Sequence, residues 1–253
     1  MRSSTLIGVD TTGEMSFDGR SVIVTGSTGE LGRVVVRAYL EAGAHVAAVA
    51  RDGAKGEALT REMTDLVGTG DDPRLMVLAA DPEDRAAMDR AVDEVMRRWG
   101  RLDGVANLAG GYGKSAPWDL DAMEASWAAN VRTAVVATTA CLRPMRARGY
   151  GRIVSVGAFG ANKGGKDSAG YAVSKTALVR WTESLAAAVK DEGITANVVQ
   201  PSIIDHPVNR SLYPKADFSK WVRRDELASV ILFLTDDVSS AITGAAIPVV
   251  GRV

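Results

Sequence analysis

Tyr171 and Lys175 are the two side chains of this sequence whose types and spacing best suit chemistry. They stand four residues apart in a segment whose apolar residues have helical spacing, so both project from one face of the predicted helix. A lysine ammonium beside a phenol favours the phenolate and lowers the pKa of the phenol. Such a tyrosine can exchange a proton near neutral pH. An ordinary surface Tyr–Lys pair is the alternative interpretation.

A glycine-rich turn near the start of the chain supplies a second chemical feature. Residues 22–25 form a β-branched run, and Gly26, Gly29 and Gly32 lead from it into a helical pattern. Glycines let a backbone approach a pyrophosphate, and the helix that follows offers free N–H groups and the positive end of its dipole. Strand, turn and helix in this order predict a dinucleotide site, although an ordinary tight turn has the same local pattern.

The elements that must position these residues alternate along the whole chain. Strand-like runs occupy residues 21–25, 45–50, 74–79, 104–108, 152–156, 195–200 and 246–250. Helical spacing of apolar residues marks residues 31–42, 83–99, 122–148, 168–191 and 224–234. The alternation predicts one α/β domain with a doubly wound, mostly parallel sheet of seven strands, flanked by helices. Asp81 and Pro82 are typical of an N-cap followed by proline at the first helical position.

Composition and charge narrow the classes of protein. The 253 residues carry 30 basic and 31 acidic side chains, which provide no net field to recruit nucleic acid or an anionic membrane. Cys141 is the single cysteine, so an internal disulfide is excluded and a reducing compartment, the cytoplasm, is expected. His45 and His206 add too few ligands for a zinc site, although aspartate-rich metal sites stay open.

The N-terminal segment is expected to lie outside the folded domain. Residues 1–16 lack the continuous apolar stretch of a secretory signal, and we expect them to form a flexible arm before a domain of residues 17–253. No apolar run approaches the roughly 20 residues needed to cross a bilayer.

Further motifs appear at regular positions along this domain. Residues 107–110 read Asn-Leu-Ala-Gly at the end of the fourth predicted strand, Asn130 lies in the next helix, and Tyr171 and Lys175 open another. Together with the glycine turn, they resemble the short-chain dehydrogenase/reductase family. The resemblance implies a single-domain Rossmann fold and hydride transfer between a nicotinamide dinucleotide and a small carbonyl or alcohol. An imine or a quinone is an alternative substrate.

The resemblance also implies roles for individual residues. Tyr171 is the implied general acid/base, Lys175 the residue that holds the nicotinamide ribose, and Asn130 a residue that helps to hold a proton-relaying water. A satisfied core amide is the alternative for Asn130. The implied cofactor contacts are Gly26, Ser27, Thr28, Gly29, Leu31, Gly32, Arg51, Asp81, Asn107, Ala109, Gly110, Lys175, Pro201 and Ile204.

The family's catalytic serine is not found at its usual place. The position 13 residues before Tyr171 is Ala158, and Ser155 lies three residues earlier on the predicted strand. Ser155 takes the catalytic role if the intervening loop is longer than usual, and Ser168 is a further candidate. Loss of one oxyanion donor costs on the order of 10²–10³ in rate. Without this serine, the protein would have a compensating hydrogen-bond donor, a substrate that needs no such donor, or weak activity. The alternative function is that of a dinucleotide-binding regulatory protein.

Cofactor preference depends on the end of the second predicted strand. In NAD-using relatives an acidic residue binds the ribose 2′-hydroxyl there, whereas this chain has Ala50 followed by Arg51. A guanidinium suits a 2′-phosphate, although Asp52 partly offsets its charge. This predicts NADP(H) as the preferred cofactor, with NAD(H) as the alternative and a solvated loop residue as the other interpretation of Arg51.

Four departures or additions complete the resemblance. In the usual spacing of the family the second glycine stands one residue later than Gly29. The spacing found here resembles that of longer epimerases and dehydratases, which carry a substrate domain that a chain of this length cannot hold. His206 stands where relatives have a threonine that touches the nicotinamide amide, and a plain loop histidine is the alternative. Residues 203–222 form the expected lid. Family members often pair the helices at 122–148 and 168–191, which implies a homodimer or homotetramer.

Overall fold

A parallel sheet of seven strands forms the centre of the structure, a computed structural model that describes residues 15–68 and 73–253. Its strand order is β3-β2-β1-β4-β5-β6-β7. The strands are β1 (Ser21–Thr25), β2 (His45–Ala50), β3 (Leu75–Ala79), β4 (Gly104–Asn107), β5 (Gly151–Val156), β6 (Ile194–Pro201) and β7 (Ala246–Val249). The doubly wound sheet is confirmed, and each predicted strand is correct to within one residue at either end.

Helices cover both faces of this sheet. Eight α-helices lie in the described residues: α1 (Glu30–Glu41), α2 (Gly53–Glu62), α3 (Arg85–Trp99), α4 (Leu120–Trp127), α5 (Thr133–Arg148), α6 (Ala169–Val189), α7 (Pro207–Leu212) and α8 (Arg224–Thr235). A π-helical turn, Ala128–Arg132, joins α4 to α5 without a break. The single helix predicted for residues 122–148 is therefore continuous, but its winding changes in the middle.

The apolar residues of β1 show how the two faces of the sheet are buried. Val22 and Val24 belong to an apolar cluster with α1 and α8, whereas Ile23 faces a second cluster with α3 and α5. Successive strand residues point to opposite faces, so a strand that is apolar throughout requires cover on both sides. Among the described residues, no helix has the length and apolar character needed to cross a membrane.

The start of the described chain is anchored in the first of these clusters. Phe17 is buried and packs edge-to-face on Tyr39 of α1, with ring centroids 5.3 Å apart. The predicted N-terminal arm falls largely on residues 1–14, which lie outside the described residues.

The predicted start of α3 is wrong by a few residues. Asp81 does not cap the helix; its carboxylate accepts a hydrogen bond from the Glu83 amide in the turn before α3. Asp84 is the N-cap, and its carboxylate accepts from the amides of Ala86 and Ala87 at 2.9 and 3.2 Å. Pro82 therefore lies in the preceding turn rather than at the first helical position.

The helix α2 was not predicted, because Gly53 and Gly56 lower the helical propensity of this segment. Asp52 compensates as N-cap, accepting a hydrogen bond from the Lys55 amide at 3.1 Å, and Leu59 is fully buried beneath the helix. Capping and burial of one side chain thus outweigh the local preference.

The glycine turn between β1 and α1 is packed too tightly for any side chain. Gly26 has a φ of +64°, and a Cβ there would lie 2.7 Å from the amide nitrogen of Ala109. At Gly32 a Cβ would lie 2.1 Å from the carbonyl oxygen of Gly26. Both positions therefore need glycine for the turn to keep its shape.

We predict that Gly32→Ala destabilises the fold, because its Cβ meets backbone that cannot move aside. The expected cost is about 1–3 kcal/mol or more, seen as a lower melting temperature of the purified protein. Gly53→Ala is the matched control, since a Cβ there has nothing within 4 Å and the change should be neutral or slightly stabilising. Equal melting temperatures for Gly32→Ala and the wild type would contradict this packing argument.

Candidate active site

A cavity of about 620 Å³ lies at the carboxyl ends of the strands, with the loops after β1 and β4 among its walls. The strand order reverses between these two strands, and such a reversal opens a crevice where ligands of α/β proteins bind. Many of the residues predicted from the sequence line this cavity: Gly26, Thr28, Gly29, Leu31, Gly32, Arg51, Ala109, Gly110, Tyr171, Lys175, Pro201 and Ile204.

Two of the predicted residues instead support the floor beneath the cavity. The amide of Asn107 donates to the hydroxyl groups of Thr138 at 2.9 Å and Ser155 at 3.3 Å. Asn107 is 3% exposed, Ser155 is fully buried, and neither lines the cavity. Ser155 therefore has no route to a substrate, and the structure does not support it as the catalytic serine. Asn107 is likewise placed to hold the sheet rather than to touch a cofactor.

Two further predicted contacts also lie outside the cavity lining. Ser27 is buried and its hydroxyl donates to the carbonyl of Val49 at 2.8 Å, which ties the glycine turn to β2. Asp81 is engaged with the Glu83 amide, whereas Pro82 and Glu83 themselves line the cavity. The turn after β3 thus contributes to the wall through the residues that follow Asp81.

The start of α1 has features that suit the binding of an anion. Gly29 is the N-cap and no side chain caps the helix, so the amides of the first turn are free for a ligand. Glu30 would repel an anion there, but its carboxylate pairs with Arg224 of α8 at 2.6 Å. Together with the tight glycine packing, this arrangement fits the diphosphate of a dinucleotide.

Tyr171 and Lys175 enter the cavity from the first turns of α6. This helix start is fixed by Ser115, whose hydroxyl accepts from the Gly170 amide at 2.7 Å, whereas Ser168 makes no side-chain cap. Lys175 is 7% exposed, and its Nζ donates to the carbonyl of Val156 at 2.7 Å. The pair predicted from the sequence is therefore confirmed as two neighbours on one face, both lining the cavity.

The pKa values of this pair differ from the sequence-based expectation. Burial raises the pKa of Tyr171, and the nearby phenol of Tyr112 raises it further. Burial lowers the pKa of Lys175 to about 8. The net shift of the Tyr171 pKa is therefore upward, opposite to the shift expected from the lysine, because burial disfavours the charged form of both groups.

Ala158, the residue 13 positions before Tyr171, lines the same cavity. It forms a small apolar cluster with Ala161, Ala172 and the ring of Tyr171. Of the two candidate positions for the serine, residue 158 is thus the one that lies in the cavity beside Tyr171. The wall presents a methyl group where a hydroxyl would hold the substrate oxygen.

Asn130 lies in the π-helical turn and holds the loop after β4 in place. Its Oδ1 accepts from the Gly111 amide at 3.0 Å, and its Nδ2 donates to the carbonyls of Gly111 at 3.1 Å and Ser126 at 3.0 Å. A longer contact of 3.3 Å reaches the hydroxyl of Ser174. The contacts are those of a fully satisfied buried amide, the alternative left open by the sequence, and they give Asn130 a positioning function.

The lid predicted at residues 203–222 contains α7 and a short 3₁₀ turn, Phe218–Lys220. Trp221 packs against the rings of Tyr213 and Phe218, at 6.2 and 4.8 Å between centroids. None of these three aromatic residues lines the cavity, so they anchor the segment. His206 does line it, and burial lowers its pKa.

The cavity also includes residues that sequence reasoning missed. Tyr112 follows the two glycines after β4, and Lys55 lies in the first turn of α2. The signal for Tyr112 was its position beside the motif at residues 107–110, whereas Lys55 became visible only once α2 was known. In the described part of the chain, no group of three or more His, Cys, Asp or Glu side chains could hold a metal ion.

Comparisons with known proteins agree with this geometry. Residues 20–217 match the short chain dehydrogenase family. The chain belongs to this family. Its general activity is therefore an oxidoreduction that depends on a nicotinamide dinucleotide.

Relatives and solved structures match over nearly the whole chain. The 3-oxoacyl-(acyl-carrier-protein) reductase FabG of Salmonella typhimurium is 28% identical over 254 residues, covering 94% of this chain and 98% of the relative. A short-chain type dehydrogenase/reductase from Mycobacterium ulcerans is 25% identical, with a TM-score of 0.87 over 94% of this chain and 90% of its own. A gluconate 5-dehydrogenase from Burkholderia cenocepacia, solved with NADP and tartrate, is 27% identical, with a TM-score of 0.83 over 93% and 95%.

The buried lysine predicts a specific dependence of stability on pH. The folded pKa of about 8 lies below the ordinary value of 10.5, so between these pH values the unfolded chain binds more protons and stability rises with pH. Lys175→Met should therefore stabilise the cofactor-free protein at pH 7 by up to about 3 kcal/mol. This advantage should shrink as the pH rises toward 10.

Urea unfolding of the two proteins at pH 7 and at alkaline pH measures this difference. Lys190→Met, at an exposed lysine just after α6, is the control and should show little difference from the wild type at either pH. A Lys175→Met variant that is less stable than the wild type at pH 7 would contradict the burial cost of the charge.

Proposed function

We propose that the protein is an NADP(H)-preferring reductase or dehydrogenase acting on a small carbonyl or alcohol, with an imine or a quinone as further substrate types. The observation that carries the proposal is the shared cavity, in which Tyr171 and Lys175 face the same space as the glycine turn. A bound nicotinamide supplies or accepts the hydride. The chain's own residues then have to bind the dinucleotide, orient the substrate and move one proton.

Tyr171 is the proton donor in the direction of carbonyl reduction. Its raised pKa keeps the phenol protonated at neutral pH, so its hydroxyl can donate to the substrate oxygen as negative charge develops there. Lys175, with a pKa lowered to about 8, exchanges protons near neutral pH and lies within the same cavity to hold the nicotinamide ribose. Asn130 acts on this centre through the Gly111 backbone.

The preference for NADP(H) rests on two cations near the end of β2. Arg51 and Lys55 are exposed and line the cavity. The carboxylate of Asp52 accepts the Lys55 amide as the cap of α2, where the helix dipole stabilises its charge. This leaves the two cations available to a 2′-phosphate, and the neighbouring Ala50 offers no carboxylate to a 2′-hydroxyl.

We propose a homodimer or homotetramer paired through α4, α5 and α6, as the family resemblance implies. Two large apolar side chains on these helices support the proposal, since Trp127 is 49% exposed and Val173 is 52% exposed. Pairing would remove this apolar surface from water. A location in the cytoplasm stays a prediction from the cysteine content.

The general-acid proposal predicts the effect of Tyr171→Phe. The variant should lower kcat/KM by about 10²–10⁴-fold, because only the hydroxyl is removed. The measurement is NADPH oxidation with a panel of ketones, aldehydes, quinones and imines, alongside a binding titration with NADPH. Affinity for NADPH should stay within about twofold of the wild type.

Unchanged kcat/KM in Tyr171→Phe would overturn the mechanism. Tight NADPH binding by the wild type, without turnover of any member of the panel, would favour a dinucleotide-binding regulatory protein instead.

The cofactor proposal predicts the effect of Arg51→Ala. Loss of a charged hydrogen bond to a 2′-phosphate should weaken NADPH binding by about 10–100-fold and leave NADH binding nearly unchanged. Binding titrations with both dinucleotides measure this ratio. Arg61→Ala, at an exposed arginine of the same helix region, serves as the control. Equal losses for NADPH and NADH would show that Arg51 does not read the 2′-phosphate.

A further inference from the structure

Tyr112 lies beside Tyr171 in the part of the cavity where the reaction is proposed to occur. The two rings meet edge-to-face, with centroids 5.3 Å apart and an angle of 70° between their planes. Tyr112 lines the cavity and is 60% exposed, so it forms the side of the cavity that opens to solvent. The phenol of Tyr112 therefore borders the same space as Tyr171.

The backbone that carries Tyr112 is held firmly. Asn130 makes hydrogen bonds of 3.0 and 3.1 Å to both the amide and the carbonyl of Gly111, the residue immediately before it. This two-point attachment fixes the direction in which the chain leaves β4. The side chain of Tyr112 is thus aimed by a buried network, although its own ring is largely in solvent.

The hydroxyl of Tyr112 makes only a weak bond within the protein. It donates to the carbonyl of Asp167 at 3.3 Å, which is long for a hydroxyl donor. The Asp167 carbonyl already accepts from the Ser115 amide at 3.1 Å. A substrate oxygen can therefore replace Asp167 as the acceptor, because Asp167 is exposed and its carbonyl keeps the Ser115 amide as a partner.

The other hydroxyl groups that line the cavity are less suitable. In the described residues the hydroxyl side chains of the lining are Thr28, Tyr112, Thr133, Tyr171 and Ser202. Thr133 donates to the Ala129 carbonyl at 2.7 Å and Ser202 to the Val250 carbonyl at 2.8 Å. Thr28 belongs to the glycine turn, at the diphosphate end of the cavity. Tyr112 alone combines a weakly held hydroxyl with contact to Tyr171.

We propose that Tyr112 is a further catalytic residue, whose hydroxyl donates the second hydrogen bond to the reacting oxygen of the substrate in place of the hydroxyl that Ala158 lacks. The inference rests on the proposed function, because it assumes that Tyr171 supplies the proton. Tyr112 transfers no proton itself. It stabilises the developing oxyanion while the hydride reaches carbon and the Tyr171 proton reaches oxygen.

Tyr112→Phe and the double variant Tyr112→Phe with Ala158→Ser test this inference. With the best substrate from the panel of ketones, aldehydes, quinones and imines, Tyr112→Phe should lower kcat/KM by about 10–100-fold, mainly through kcat. NADPH affinity should not change. Ala158→Ser introduces a hydroxyl at another lining position that contacts Tyr171 and should recover at least about tenfold of the loss. Tyr213→Phe, in the anchored lid segment, is the control and should match the wild type.

Each outcome separates this inference from the proposed function. A Tyr112→Phe variant within twofold of the wild type, while Tyr171→Phe is impaired, overturns the inference and leaves the proposed function standing. A loss in Tyr112→Phe that Ala158→Ser does not recover also overturns it, since the hydroxyl would then act through its bond to the Asp167 carbonyl and not on the substrate oxygen. Absence of turnover across the whole panel counts against both.

Discussion

The contact between the glycine turn after β1 and the loop after β4 determines the arrangement of the whole site. Thr25 ends β1, and its hydroxyl accepts hydrogen bonds from the amides of Leu108 and Ala109, each at 3.2 Å. Gly26 follows at a φ of +64° and leaves no space for a Cβ against Ala109. The two strands on either side of the reversal are therefore locked together just where the cavity opens.

The loop after β4 leads from this contact to the part of the cavity around Tyr171, and side chains hold it in place along the way. The loop after β4 continues to Gly111, where Asn130 fixes the backbone, and then to Tyr112, whose ring meets Tyr171. Lys175 is held from the other side by the carbonyl of Val156 at the end of β5. Ends of different strands thus converge on one point, although their residues are far apart in the chain. Such convergence is how a parallel sheet builds a site from separate segments.

The chain has a net charge near zero, so the potential in the cavity comes from individual groups that line it. The backbone amides at the start of α1 are the groups proposed to bind the diphosphate, and Glu30 pairs there with Arg224. Arg51 and Lys55 are the cations at the end of β2. The buried Lys175 costs stability at neutral pH, since burial lowers its pKa to about 8. A charged group retained at such a cost is typical of a functional site.

Much of this arrangement could be predicted from the sequence, and the exceptions have physical reasons. The strands were predictable because residues covered on both faces are apolar throughout, and the glycine turn and the Tyr171–Lys175 pair carry their spacing in the chain. Asp81 and Asp84 both have the chemistry of a cap, so the choice between them depends on where the turn ends. For Ser155 and Asn107 the direction of the side chain is decisive. Both face the buried layer between the sheet and α5, and their sequence pattern does not reveal it.

Tyr112 and the pKa of Tyr171 depend on tertiary contacts between loops and helices. Tyr112 and Tyr171 are 59 residues apart, so the contact between their rings leaves no periodic pattern in the sequence. The rise in the pKa of Tyr171 comes from burial, which a helical spacing of four residues does not describe. Local patterns therefore identified the family and most of the cavity, whereas the environment of the reacting groups required the folded chain.

A crystal structure of the protein with NADPH tests the central claim most directly. We expect the diphosphate over the first turn of α1, the 2′-phosphate beside Arg51, and the nicotinamide carbon that carries the hydride facing the space between Tyr171, Ala158 and Tyr112. NADPH bound elsewhere, or a nicotinamide ring turned away from Tyr171, would contradict the account.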